Sequence, residues 1–181
     1  EESKPAVASL TNQHTLAAQV TVRGKGLLLG GEALVRIKPA PINLGIVFLR
    51  SDMDPPVQIP ALVCNVAERA RRTTLKLGNA TVETVEHCMS AFAGLRIDNA
   101  IVEIKGPELP CGDGSAAPFV DPILEAGLVE QDAPPRIFKI TEPIIVEKED
   151  AMLAAFPCKE DAFKLIFDLD YGSNSHRIKR Q

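Results

Sequence analysis

Glu86 and His87 are adjacent in the chain: a carboxylate that could take a proton from water beside an imidazole that could bind a metal. They stand near the start of the stretch Thr84-Val85-Glu86-His87-Cys88-Met89-Ser90-Ala91-Phe92-Ala93-Gly94. Apolar residues at Val85, Cys88, Met89, Phe92 and Leu95 recur at helical spacing, which predicts one short helix. Thr84 is expected to cap its start and Gly94 to supply a left-handed stop. Neighbouring helical positions lie about 100° apart around the axis, so the two side chains would address one site from two directions. The unpaired N–H groups at a helix start favour an ionised Glu86 and a neutral His87, the states that proton abstraction and metal binding require. The same pair also suits a structural role, with Glu86 complementing the helix dipole and His87 packing at a domain edge.

The surrounding elements must hold that helix. Ala18 to Arg23, Ala33 to Ile37 and Gly45 to Arg50 read as strands joined by short breakers, with Gly24, Gly26, Gly30 and Gly31 forming a turn, which predicts an antiparallel meander. Val57 to Val63 and Ala80 to Glu83 are further extended pieces, and Ala100 to Ile104 is a buried strand. Arg69, Arg71 and Arg72 form a basic cluster that suits either a solvated loop or a phosphate contact. The run Gly106-Pro107-Glu108-Leu109-Pro110-Cys111-Gly112-Asp113-Gly114-Ser115 cannot hold regular structure, so it is expected to be a loop in close approach to something. Ser115 then caps a second helix, Ala116 to Ala126, burying Phe119, Val120, Ile123 and Leu124, with a kink or a late start forced by Pro122.

The expected fold class is α+β: a two-layer sandwich of a mainly antiparallel sheet with two helices on one face. Residues 1–11 read as a disordered lead-in, residues 12–134 as a complete domain, and residues 135–181 as the first strands of a second, truncated one. Strands are expected there at Ile137 to Val146, Met152 to Phe156 and Phe163 to Leu169. A shift of 118 residues lays Glu32 on Asp150, Ala33 on Ala151, Pro39 on Pro157 and Asp52 on Asp170, which suggests a second copy of the same unit.

Composition narrows the function classes. The 181 residues are 45% hydrophobic, enough for a proper core, while 4% aromatic with no Trp argues against a base-stacking platform. A net charge of −4 with interspersed signs does not suggest a nucleic-acid partner. Cys64, Cys88, Cys111 and Cys158 form no C-x-x-C pair, so free thiols in a reducing cytoplasm are expected. No apolar run approaches the roughly 20 residues of a membrane span, and Glu1-Glu2-Ser3-Lys4 does not begin a signal peptide.

Several motifs resemble one family. Gln13-His14-Thr15-Leu16, Gly24-Lys25-Gly26-Leu27, Lys38-Pro39-Ala40-Pro41, Gly45-Ile46-Val47-Phe48, Thr84-Val85-Glu86-His87, Gly94-Leu95-Arg96-Ile97-Asp98-Asn99 and Asp113-Gly114-Ser115-Ala116-Ala117-Pro118-Phe119-Val120 follow the order seen in the UDP-3-O-acyl-N-acetylglucosamine deacetylases, zinc amidohydrolases of lipid A biosynthesis. The resemblance implies two similar domains with the active site between them, Glu86 as catalytic general base and His87 as a zinc ligand. It implies attack of zinc-activated water on the N-acetyl group of a UDP-linked acylated glucosamine. The family's other ligands, a His and an Asp four apart on a helix, and its later general-acid His have no counterpart here. His176 is followed four positions on by Arg180, which cannot bind metal. Where the family has Gly-Leu-His-Ser or Gly-Leu-His-Thr, this chain has Gly26-Leu27-Leu28-Leu29, and Cys111-Gly112 replaces an Ile-Met or Ile-Phe pair.

The chain by itself is therefore expected neither to hold zinc tightly nor to turn over substrate. A non-catalytic truncated homologue that binds a partner or a nucleotide-sugar is the alternative, and a two-layer interaction module without a ligand is the third. Strands without covering helices in the second unit also predict self-association, or a missing segment that covers them.

Overall fold

The computed structural model of the chain describes residues 12–149, 151–159 and 162–168. The expected lead-in over residues 1–11, together with Asp150, Asp170, His176 and Arg180, lies outside the described residues. The chain divides into two compact units, residues 1–135 and 136–181.

In chain order the first unit contains β1 (Gln13–Leu16), β2 (Val20–Lys25), β3 (Glu32–Pro39), β4 (Ile46–Arg50), β5 (Val57–Pro60), a 3-10 turn (Val63–Asn65) and β6 (Val66–Ala67). There follow β7 (Thr74–Leu77), β8 (Ala80–Glu83), α1 (Glu86–Leu95), β9 (Ala100–Ile104), α2 (Ala117–Ala126) and β10 (Leu128–Gln131). The architecture is α+β, as the sequence predicts, with mostly antiparallel sheets and two helices.

The main sheet has the order β2-β3-β9-β4-β5. It is not the expected meander: β9 inserts between β3 and β4, pairing antiparallel with the first and parallel with the second. Val20, Val22, Val35, Ile37, Val102 and Ile104 form its buried face, and the helix residues Cys88, Phe92, Phe119 and Ile123 join the same core. The other face carries Arg36, Lys38 and Glu103, which form an ion-paired cluster. Burial on one side and ion pairs on the other are what a two-layer sandwich requires of alternating strands.

A small sheet, β6-β7-β8, carries the chain into α1. Arg50 at the end of β4 ties it to the main sheet, donating to the Thr81 carbonyl and, through Nε and Nη2, to both oxygens of Asp52 at 2.9 Å. That guanidinium, working against partial desolvation, holds the Asp52 carboxyl down at about 2. β7 follows the basic cluster, in a stretch for which the sequence predicts no strand.

The helix ends differ from expectation. Gly94 lies inside α1, and the left-handed residue is Arg96, with φ 57°, where the Ile97 N–H donates to the Phe92 carbonyl at 2.9 Å. Buried Ile97 anchors this stop, so packing rather than glycine decides where α1 ends. α2 starts at Ala117, and the Ser115 hydroxyl accepts the Ala117 N–H at 3.1 Å. Of its expected apolar stripe, Phe119 and Ile123 are fully buried, Val120 is half-buried and Leu124 is 39% exposed.

β1 and β10 pair antiparallel as a separate ribbon, from Gln13 opposite Gln131 to Leu16 opposite Leu128. Beneath it lies a network of buried amides. Asn99, 1% exposed, donates through Nδ2 to Gln13 Oε1 at 2.8 Å and Gln131 Oε1 at 2.7 Å, and its Oδ1 accepts the Gly45 N–H at 2.8 Å.

Among its described residues the second unit contains one antiparallel hairpin, β11 (Ile144–Lys148) and β12 (Ala151–Ala155). Residues 137–143 and 163–168 carry no strand, contrary to expectation. Runs of apolar residues satisfy the strand pattern locally, whereas a strand is defined by the ladder it joins. Ile144, Ile145, Val146, Met152 and Leu153 are all exposed.

Candidate active site

Glu86 and His87 are the first two residues of α1, reached from β8 through Thr84-Val85. Both side chains are partly exposed, so neither is sealed in a dry interior. The Thr73 N–H donates to Glu86 Oε2 at 3.1 Å, and the Val85 N–H reaches the Thr73 carbonyl at 3.4 Å. One carboxylate oxygen is thereby oriented, while among the described residues Oε1 has no such tether, an arrangement that suits proton abstraction from a water on the open side.

Thr84 does not act as the expected cap. It has φ 60°, its hydroxyl donates to Glu108 Oε1 at 3.2 Å, and no side chain caps the helix start. A β-branched residue in the left-handed region is strained, so the turn into α1 is held by contacts rather than by local preference.

The expected close approach of the 106–115 loop is found. The Glu83 N–H donates to the Pro107 carbonyl at 2.7 Å, the Leu109 N–H to the Glu83 carbonyl at 3.1 Å, and the Cys111 N–H to the Lys25 carbonyl at 3.0 Å. The loop thus runs between the β2–β3 hairpin and the start of α1. At its far end Asp113 accepts the Ser115 hydroxyl at 2.7 Å and amide at 2.9 Å, which hold its carboxyl below the usual carboxylate range. Sequence reasoning did not single out Glu108 or Asp113 as site residues. The signal was there in the loop they share, which could not be regular structure.

Among the described residues no group of three or more His, Cys, Asp or Glu side chains is placed to hold a metal ion. Cys88 is fully enclosed, and burial pushes its thiol up, which removes it as a donor. His87 is one candidate donor, whereas a catalytic zinc takes three protein ligands. The donor set is not complete within these residues.

The basic cluster divides. Arg72 Nε lies 2.8 Å from Glu83 Oε2, an ion pair without hydrogen-bond alignment, while Arg69 and Arg71 are exposed on the turn before Thr73. At the β2–β3 tip Leu27, Leu28 and Leu29 are 65%, 43% and 60% exposed.

These features define a class: an α+β domain with an open carboxylate–imidazole pair at one helix start. Residues 13–181 match the family described as UDP-3-O-acyl N-acetylglycosamine deacetylase. A relative from Pseudomonas entomophila (strain L48), named UDP-3-O-acyl-N-acetylglucosamine deacetylase, is 45% identical over 162 residues, covering 90% of this chain and 53% of the relative. The chain belongs to the UDP-3-O-acyl N-acetylglycosamine deacetylase family, and it spans about half the length of the relative it matches.

Proposed function

We propose that the full-length protein hydrolyses the N-acetyl amide of UDP-3-O-acyl-N-acetylglucosamine in lipid A biosynthesis, with Glu86 as general base. Water loses a proton to Glu86 as its oxygen attacks the acetyl carbonyl carbon; the C–N bond then breaks as that proton passes on to the departing nitrogen, giving acetate and a free amine. The observation that supports this reading is the accessible Glu86–His87 pair at the α1 start of a chain that matches the family over residues 13–181. Zn2+ is the proposed cofactor and His87 one of its ligands; because the described residues lack a complete donor set, the 181-residue chain alone is proposed to be inactive.

The assay is acetate release from the UDP-sugar by the full-length protein, before and after treatment with a metal chelator. Release that stops with chelation and returns with Zn2+ is expected; undiminished release from metal-free protein would remove the metal from the proposal. A non-catalytic relative that binds a partner or a nucleotide-sugar is the second reading, favoured by Leu28 at the family's histidine position. UDP-sugar binding without any acetate release by the full-length protein would establish it.

Among the described residues no helix is long and apolar enough to cross a membrane. A cytoplasmic location is proposed, and the free thiols support it. The exposed apolar side chains of β11 and β12 support self-association of the chain, or cover by a further segment. Sedimentation velocity should show mass rising with concentration. A single monomeric species at every concentration would exclude self-association.

A further inference from the structure

Glu108 is 5% exposed, and no cation lies within ion-pair distance of it among the described residues. Its carboxylate is satisfied instead by three neutral donors: the Leu28 N–H to Oε1 at 2.8 Å, the Leu29 N–H to Oε2 at 2.8 Å and the Thr84 hydroxyl to Oε1 at 3.2 Å. Those donors come from two different elements, the β2–β3 tip and the turn into α1. The backbone on either side of Glu108 is itself pinned to Glu83, through Pro107 and Leu109. The fit is tight, for a Cβ at Gly26 would lie 2.2 Å from Glu108 Oε2, so any side chain there would displace the carboxylate.

A buried carboxylate without a counter-ion is a costly way to fasten a loop, and apolar packing would anchor it at lower cost. What two acceptor oxygens add is direction. They hold two consecutive amides in one orientation and grip Thr84, whose left-handed backbone persists only where its surroundings over-determine it. Thr84 stands two residues before Glu86, so its φ and ψ set the angle at which α1, with Glu86 and His87, leaves β8.

We propose that Glu108 is a positioning residue: it locks strained Thr84 and the β2–β3 tip into one frame and so aims the Glu86–His87 pair. This rests on the deacetylase reading, and its test separates the two. In the full-length protein Glu108→Gln keeps the shape but leaves one acceptor oxygen and turns an NH2 toward an amide donor. We expect kcat to fall about tenfold or more while KM changes by less than about threefold, because misdirection costs the chemical step rather than binding. Thr84→Gly relieves the backbone strain and removes the hydroxyl. Its thermal midpoint should hold or rise while kcat falls about tenfold, opposite movements that a purely structural contact cannot produce. Thr84→Ser, which restores the hydroxyl, should recover most of the rate that Thr84→Val loses.

In the 181-residue chain itself, Glu108→Gln should speed hydrogen exchange at the Leu28 and Leu29 amides and shift the His87 ring resonances. Unchanged His87 resonances in a folded Glu108→Gln chain, or kcat losses that track only the folded fraction, would overturn the proposal. If Glu108→Gln does not fold, the Thr84 variants decide by the same criteria. If the wild-type full-length protein releases no acetate, the deacetylase reading fails, and the exchange and ring signals still decide whether Glu108 orients the pair.

Discussion

Glu86→Gln in the full-length protein is expected to lower kcat by about two to four orders of magnitude, the usual contribution of a positioned general base. Glutamine keeps an oxygen that can accept the Thr73 N–H, so the turn against α1 should survive. It cannot take a proton from water. The partly exposed site means that little buried structure depends on the charge, and the thermal midpoint should move by less than a few degrees. KM should change little, because the lost interaction belongs to the transition state. The measurement is steady-state acetate release alongside a melting curve. A kcat within about fivefold of wild type, in a folded variant, would take the general-base role away from Glu86.

The second large effect is on stability. Asn99→Leu removes an amide that donates to Gln13 Oε1 and Gln131 Oε1 and accepts from the Gly45 N–H. Gln13 Oε1 keeps the Asn43 N–H, at 3.0 Å, but the Gly45 donor and the Gln131 acceptor lose the partner Asn99 supplied. An orphaned group costs about 1–3 kcal/mol when fully buried and less when half-buried like these, and apolar burial of leucine offsets part of that, so a loss of about 2 kcal/mol is expected. Urea unfolding of the chain would read this as a lower midpoint. Asn99→Asp should be comparably harmful at neutral pH, since a carboxylate would face two amide oxygens, and should recover as acid protonates it into a donor. A shift below about 1 kcal/mol in both variants would show that water replaces the network.

The strands and helices of the first unit were legible where a local pattern repeats. Val20 and Val22, Val35 and Ile37, and Val102 and Ile104 alternate as half-buried strands must, and Cys88 and Phe92 mark the inner face of α1. The choice of strand neighbours was not legible. That β9 enters between β3 and β4 depends on contacts some sixty residues apart, and nothing in either strand's own pattern encodes it. β10 was hidden for the same reason: Leu128 to Gln131 is a strand only because β1 comes to meet it.

The site was half legible. Adjacent Glu86 and His87 carry their chemistry in their side chains, and the helical period placed them at a helix start. Thr84 was misassigned because its usual preference is to cap, whereas here a buried acid twenty-four residues away claims its hydroxyl. In the second unit, apolar content alone suggested a strand where Phe163 to Asp168 has none.

The ribbon of β1 and β10 bears on how the protein is made. One of its strands holds residues 13–16 and the other residues 128–131, so during synthesis the earlier strand must wait for the later one before it can pair. Until then Gln13 and Asn99 lack the Gln131 side chain that completes their network. This pairing is among the longest-range contacts of the unit, the kind that slows folding most. The early glutamine and histidine remain open to water, and to chaperones, for nearly the whole of the unit's synthesis.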